Sequence, residues 1–157
     1  MRAGIVGAAA LALILTSGAA LARDIPAGGF TTGDIIAWLH SKGYPAELTT
    51  GSGGLPHVRS NLGDVTFGVY LFDCKADRCG SIQFSAGFAT HGKFDISRIN
   101  EWNRDHRWAR GYFDSVNDPW IEYDIDLTPG GTYELLDDEF VTWNTMVDRF
   151  TKLYGLP

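Results

Sequence analysis

Basic residues are scarce in this chain. Thirteen Lys and Arg stand against nineteen Asp and Glu, for a formal charge of −6 and a pI near 5.0. A general nucleic-acid binder needs a cationic face to neutralise phosphates, and a peripheral membrane protein held by anionic lipid needs the same. Both classes are therefore excluded by charge. Cysteine is scarcer still: there are two, Cys74 and Cys79. A structural zinc site takes about four ligands, and no second Cys or His pair stands at usable spacing. The chain has no G-x-S-x-G, no H-E-x-x-H, no phosphate-binding G-x-x-x-x-G-K and no calcium-loop pattern, because Asp124-x-Asp126 runs into Thr128-Pro129 without the remaining ligands. Beyond residue 22 no apolar run is long enough to cross a bilayer. No repeat, low-complexity tract or internal linker divides the sequence.

What is present starts with an address. Arg2 precedes the uncharged stretch Ala3–Leu15, and Ala20-Leu21-Ala22 forms an A-x-A cleavage signature ahead of the polar Arg23-Asp24. This is the layout of a secretory signal peptide, expected over residues 1–22 and removed from the mature protein. The apolar core is too short for a comfortable span, so no stable membrane insertion is expected after cleavage. Removing those residues from 157 leaves 135, and because they carry one base and no acid the charge becomes −7. All 20 aromatic side chains (five Trp, six Tyr and nine Phe) stay in the mature chain. One domain over residues 23–157 is expected, with large side chains enough to fill a core. Export to the periplasm or beyond, in a bacterial setting, places Cys74 and Cys79 where disulfides persist. Their polar four-residue spacer and strand-like flanks predict a hairpin clipped near its turn, and C-x₄-C differs from the C-x-x-C of thiol–disulfide redox enzymes.

Hydrophobic patterning predicts three helices and six strands in the order α-β-β-β-β-α-β-β-α, an α+β domain built on an antiparallel meander. Thr31 or Thr32 caps a first helix bearing Ile35, Ile36, Trp38 and Leu39, which ends at Gly43 ahead of Tyr44-Pro45. Strands follow over residues 46–50, 55–60, 65–72 and 81–88. Asp95 is the expected cap of a second helix with Ile96, Ile99, Trp102 and His106 on one face. Residues 108–114 and 120–127 then read as strands. In the second of these Ile121, Tyr123, Ile125 and Leu127 point one way and Trp120, Glu122, Asp124 and Asp126 the other, an acidic outer face. The strongest periodicity is Leu136, Phe140, Trp143, Val147, Phe150 and Tyr154, the core stripe of a final helix with acids at its start and Arg149 and Lys152 near its end.

The histidines His40, His57, His91 and His106 carry no nucleophile signature, and no catalytic residue, metal or cofactor is expected. The candidate contact residues are Trp102, Trp108, Tyr112 and Trp120, suited to a protein or peptide partner or to a second copy of the chain. The acidic row Glu122, Asp124 and Asp126 supports an alternative, a small periplasmic hydrolase or sugar-binding protein that pairs carboxylates with Trp108 or Trp120.

Thr32-Gly33-Asp34-Ile35-Ile36-Ala37-Trp38-Leu39, Gly43-Tyr44-Pro45-Ala46-Glu47, Phe67–Cys74, Cys79–Phe88, Ile99–Arg104 and Arg110–Asp114 together resemble the YbjN-like family, described as sensory transduction regulators. The similarity spans nearly the whole mature chain in the right order. It implies a fold similar to the type III secretion chaperones, small dimeric protein-binding modules, and it implies no catalytic residues. The leader sets this chain apart from a cytoplasmic regulator. The expected function is that of an exported, non-enzymatic binding, chaperone-like or regulatory module.

Overall fold

The computed structural model describes residues 22–51, 54–90, 95 and 97–156. The expected leader, apart from Ala22, lies outside the described residues, as do Ser52-Gly53 of the first hairpin turn, His91 and Ile96. Nine elements follow in order: α1 (Thr32–Ser41), β1 (Ala46–Thr50), β2 (Pro56–Leu62), β3 (Val65–Lys75), β4 (Arg78–Gly87), α2 (Arg98–Asp105), β5 (Arg110–Phe113), β6 (Pro119–Asp126) and α3 (Tyr133–Tyr154). The strands form one antiparallel sheet in the order β1-β2-β3-β4-β6-β5, so the first four are a meander and the β5–β6 hairpin joins it through β6.

All three helices cover one face of that sheet. From α1, Trp38 meets Phe84 and Phe140; from α3, Trp143 packs on Phe67 and Phe84. Ile99 and Trp102 of α2 and Phe150 of α3 close over Gly111 of β5, where a Cβ would lie 2.6 Å from the Ile99 methyl. The α3 stripe is buried as its periodicity requires, Leu136, Trp143 and Phe150 completely. Each such side chain contributes on the order of 1.5–3 kcal/mol by leaving water.

The local signals at the helix ends are met in kind. Thr31 caps α1, its Oγ1 accepting from Asp34 N while Asp34 Oδ2 accepts from Thr31 N, a reciprocal capping box. Gly43 leaves α1 at φ 84°. The second helix starts later than the sequence suggests. Asp95 Oδ1 accepts from Ser97 N in a local turn, Ser97 is the N-cap without a side-chain bond, and α2 opens at Arg98. His106 falls just past its end, stacked on Trp102 with ring centroids 3.8 Å apart. The acids near the α3 start tether other elements: Asp137 accepts from Trp38 Nε1 at 2.8 Å and pairs with Lys42, and Glu139 accepts from the Tyr123 hydroxyl.

Ahead of α1 runs an arm, residues 23–30. Asp24 bridges to Thr132 just before α3, and Phe30 bridges to Cys79, with Phe30 N donating to Cys79 O and Cys79 N to Phe30 O at 2.9 and 2.8 Å. The arm thus links the start of α3 to the turn end of the β3–β4 hairpin, and Phe30 is fully buried.

Candidate functional site

The helix-free face of the sheet carries two of the four residues expected to make contacts, Tyr112 and Trp120. Tyr112 and Trp120 stand opposite each other on β5 and β6 with nearly parallel rings, 13° apart. Trp120 lies flat because the residue beside it on β4 is Gly87, where a Cβ would sit 2.4 Å from the indole. Gly68 plays the same part for Tyr70 and His57, whose rings stack at 4.5 Å. Between the two aromatic pairs lies a shallow cavity of about 200 Å³ bordered by Arg59, Ser85 and Trp120. Trp108 is half exposed just before β5, with the Arg107 guanidinium over its ring. Trp102 does not belong to this surface. It is fully buried and donates its Nε1–H to Ala109 O at 3.0 Å, because the α2 face that carries it packs on β5.

The acidic row also divides. Asp124 and Asp126 are exposed, and Asp124 accepts from Gln83 Nε2. Glu122 is buried, which strand alternation alone does not reveal. Its Oε2 takes two N–H donors from Arg110, and its Oε1 accepts from the Tyr112 hydroxyl at 3.0 Å and from Ser85 Oγ at 3.4 Å. Burial, followed by the hydrogen bond to this carboxylate, pushes the Tyr112 phenol well above its ordinary range. Glu122 is thus occupied as the anchor of a cross-strand cluster. Among the described residues no group of three or more His, Cys, Asp or Glu is placed to hold a metal.

A second surface was not anticipated from sequence. β2 and β3 last pair at Val58–Val69, whereas β3 continues to Lys75, so among the described residues its final stretch has a strand partner only in β4. Beside that free edge opens a groove of about 480 Å³. Leu55 and Pro56 ahead of and in β2, Leu71 and Phe72 of β3, and Thr31 and Thr32 at the head of α1 line it. Leu55 and Phe72 are 62% and 43% exposed, an unusual amount of aliphatic and aromatic surface at one spot. Asp77 also lines the groove, together with Cys74 and Cys79, which are disulfide-bonded across the hairpin in direct register. The bond locks the projecting edge in place. Pairing of β3 with β4 continues across a two-residue turn to Lys75, past the 65–72 expected from the sequence, and this overhang forms the groove.

Three comparisons bear on this architecture. The family model YbjN, described as "Putative bacterial sensory transduction regulator", matches residues 32–153. A crystal structure of YbjN from E. coli, described as a putative transcription regulator, superposes with a TM-score of 0.54 at 15% identity, covering 78% of this chain and 91% of that one. At that identity the likeness is one of fold. No curated protein matches the chain.

Proposed function

The chain belongs to the YbjN family, and on that footing we propose that it is an exported, non-enzymatic regulatory module that binds an extended peptide segment of a partner protein. The observation that carries this reading is the groove along the free edge of β3. Unpaired strand edges accept a further strand, with main-chain hydrogen bonds supplying affinity and side-chain pockets supplying selectivity. Here the edge is short, stiffened by the Cys74–Cys79 bond and flanked by Leu55, Pro56 and Phe72, so it suits a few apolar residues in extended form. Asp77 in the groove lining and the −7 charge of the mature chain favour basic residues in the same segment. Export is supported by the leader pattern, and an oxidising compartment is where such a bond forms and persists.

A photo-crosslinking residue in place of Phe72, in cells exporting the protein, tests this. The expected result is repeated crosslinking to one segment of one partner, whose synthetic peptide binds saturably and loses at least tenfold in affinity to Leu55→Asp. A peptide that binds Leu55→Asp as tightly as the parent would overturn the assignment to the groove.

The helix-free face supports a second reading, saccharide binding, because Trp120 lies flat beside the 200 Å³ cavity and such rings stack on sugar faces. Titration of tryptophan fluorescence with neutral oligosaccharides decides it. A saturable change lost in Asp124→Asn and Glu122→Gln would support it, and no change in the parent protein would end it.

A further inference from the structure

Arg23, the residue directly after the A-x-A signature, is bound to the start of α3 by every part it has. Its backbone nitrogen donates to Glu134 Oε2 at 2.9 Å, in the first turn of α3. Its carbonyl accepts from Tyr133 N at 2.9 Å, and its guanidinium lies 3.6 Å from the centroid of the Tyr133 ring. Ile25 N then donates to Gly131 O at 3.0 Å, which continues the same short ladder. Ala22, one residue earlier, is exposed.

The nitrogen that reaches Glu134 is a neutral amide only while residue 22 is attached. We propose that Glu134 is a receptor for the α-ammonium of Arg23, created when a leader peptidase hydrolyses the Ala22–Arg23 bond. Water adds across that bond: its oxygen goes to the Ala22 carbonyl carbon, which leaves as a carboxylate, and Arg23 nitrogen takes up the protons and becomes an ammonium. The hydrogen bond to Glu134 then becomes an ion pair, which is stronger than one from a neutral donor. Glu134 is in contact with this nitrogen; the other charged groups near it along the chain are Asp137 and Asp138, one turn on in α3, and Asp24 and the Arg23 guanidinium on the arm. Asp137 is engaged with Lys42 and Trp38, so Glu134 is the carboxylate in contact.

Cutting and docking exclude one another. A peptidase holds the bonds around the scissile position extended in its own cleft, and Arg23 cannot lie there while its nitrogen and carbonyl are bound to α3. The bond is therefore cut only while the arm is undocked, and after the cut the docked arm carries the new ammonium to Glu134. The far end of the arm pairs with Cys79, so the products of two extracytoplasmic reactions, leader removal and disulfide formation, are joined by the eight residues of a single segment.

This inference rests on the export part of the reading above only for the cut itself, and the test separates the two. Mature protein with Arg23 as its first residue is released in vitro from a cleavable fusion, and the α-ammonium pKa is followed by NMR of an isotope-labelled N-terminus. Glu134→Gln is measured beside it, with folding verified by circular dichroism. The terminus is solvent-exposed, so its pKa should lie about half a unit above that in Glu134→Gln. A protein extended by Leu21-Ala22 should show no such dependence on Glu134. Equal values in parent and Glu134→Gln would overturn the receptor role. The mass of the exported protein supplies the other half: a product beginning anywhere but Arg23 would overturn the processing site and leave the peptide-binding groove untouched.

Discussion

Arg110 and Glu122 face each other directly across β5 and β6, the carboxylate buried and the guanidinium side chain 62% exposed. Arg110 therefore serves as the lid that lets an acid sit in the sheet surface. Replacing it with Ala strips two donors from Glu122 and leaves the carboxylate with Tyr112 and Ser85. The expected loss is about 1–2 kcal/mol, set by a charged buried acceptor losing donors and reduced by the exposure of the arginine. Adding Glu122→Gln to the Arg110→Ala protein removes the stranded charge and should recover part of that loss. Urea midpoints of the two single variants and the double variant give the coupling directly.

The disulfide is expected to matter for stability in proportion to its small loop. Replacing Cys74 and Cys79 together with Ala should cost about 2 kcal/mol by the chain-entropy account. It should also weaken any peptide bound at the groove, because the projecting end of β3 loses its brace. Intact mass after alkylation, with and without reductant, should show two modified thiols only in the reduced protein.

Tyrosine ionisation provides a pH test. Burial is the leading cause that raises Tyr70, Tyr112, Tyr123 and Tyr154, with Glu122 adding to Tyr112 and Glu139 to Tyr123. A phenol raised in the folded state binds its proton more tightly there than in the unfolded chain. Its contribution to stability is complete below the ordinary value near 10 and is lost as pH rises beyond it. Absorbance at 295 nm should therefore show these four tyrosines ionising at higher pH in the folded protein than in denaturant. A native titration curve that matches the denatured one would refute the buried placements.

Local chemistry explains why so much of this architecture was legible. The α3 stripe, the Thr31 cap, the Gly43 exit and the alternation of β6 each depend on residues within one or two turns of one another, and each appears as expected. The misses involve distant neighbours. Nothing near Glu122 in sequence shows that Arg110 reaches across from the next strand, so alternation places it outward but leaves it exposed. Trp102 shares a face with Ile99, a core signal that outweighs its size as a contact residue. Asp95 has the composition of a helix cap but bonds two residues ahead, and the helix waits until Arg98. The groove exists because β2 and β3 differ in length, a property of the pair that neither strand displays alone.

Gly29 and Gly28 offer a paired test of how firmly the arm is held. Both have positive φ, 95° and 89°, so alanine is strained at either position. They differ in their surroundings. A Cβ on Gly29 would lie 1.8 Å from the Cys79 carbonyl oxygen, the acceptor of the Phe30 N–H, whereas one on Gly28 would meet only Arg78 at an ordinary 3.8 Å. Gly28→Ala should cost about 1 kcal/mol, the backbone strain alone. Gly29→Ala must push the arm away from the hairpin, which breaks the Phe30–Cys79 bridge and exposes the buried Phe30 ring. Its cost should be about 3 kcal/mol or more, near that of deleting a core phenylalanine. Hydrogen exchange at the Phe30 and Cys79 amides separates local release from global loss. In Gly29→Ala both amides should exchange orders of magnitude faster while those of α3 at Trp143 and Val147 stay protected. Equal protection of Phe30 in the two variants would mean that the arm is not held by this bridge.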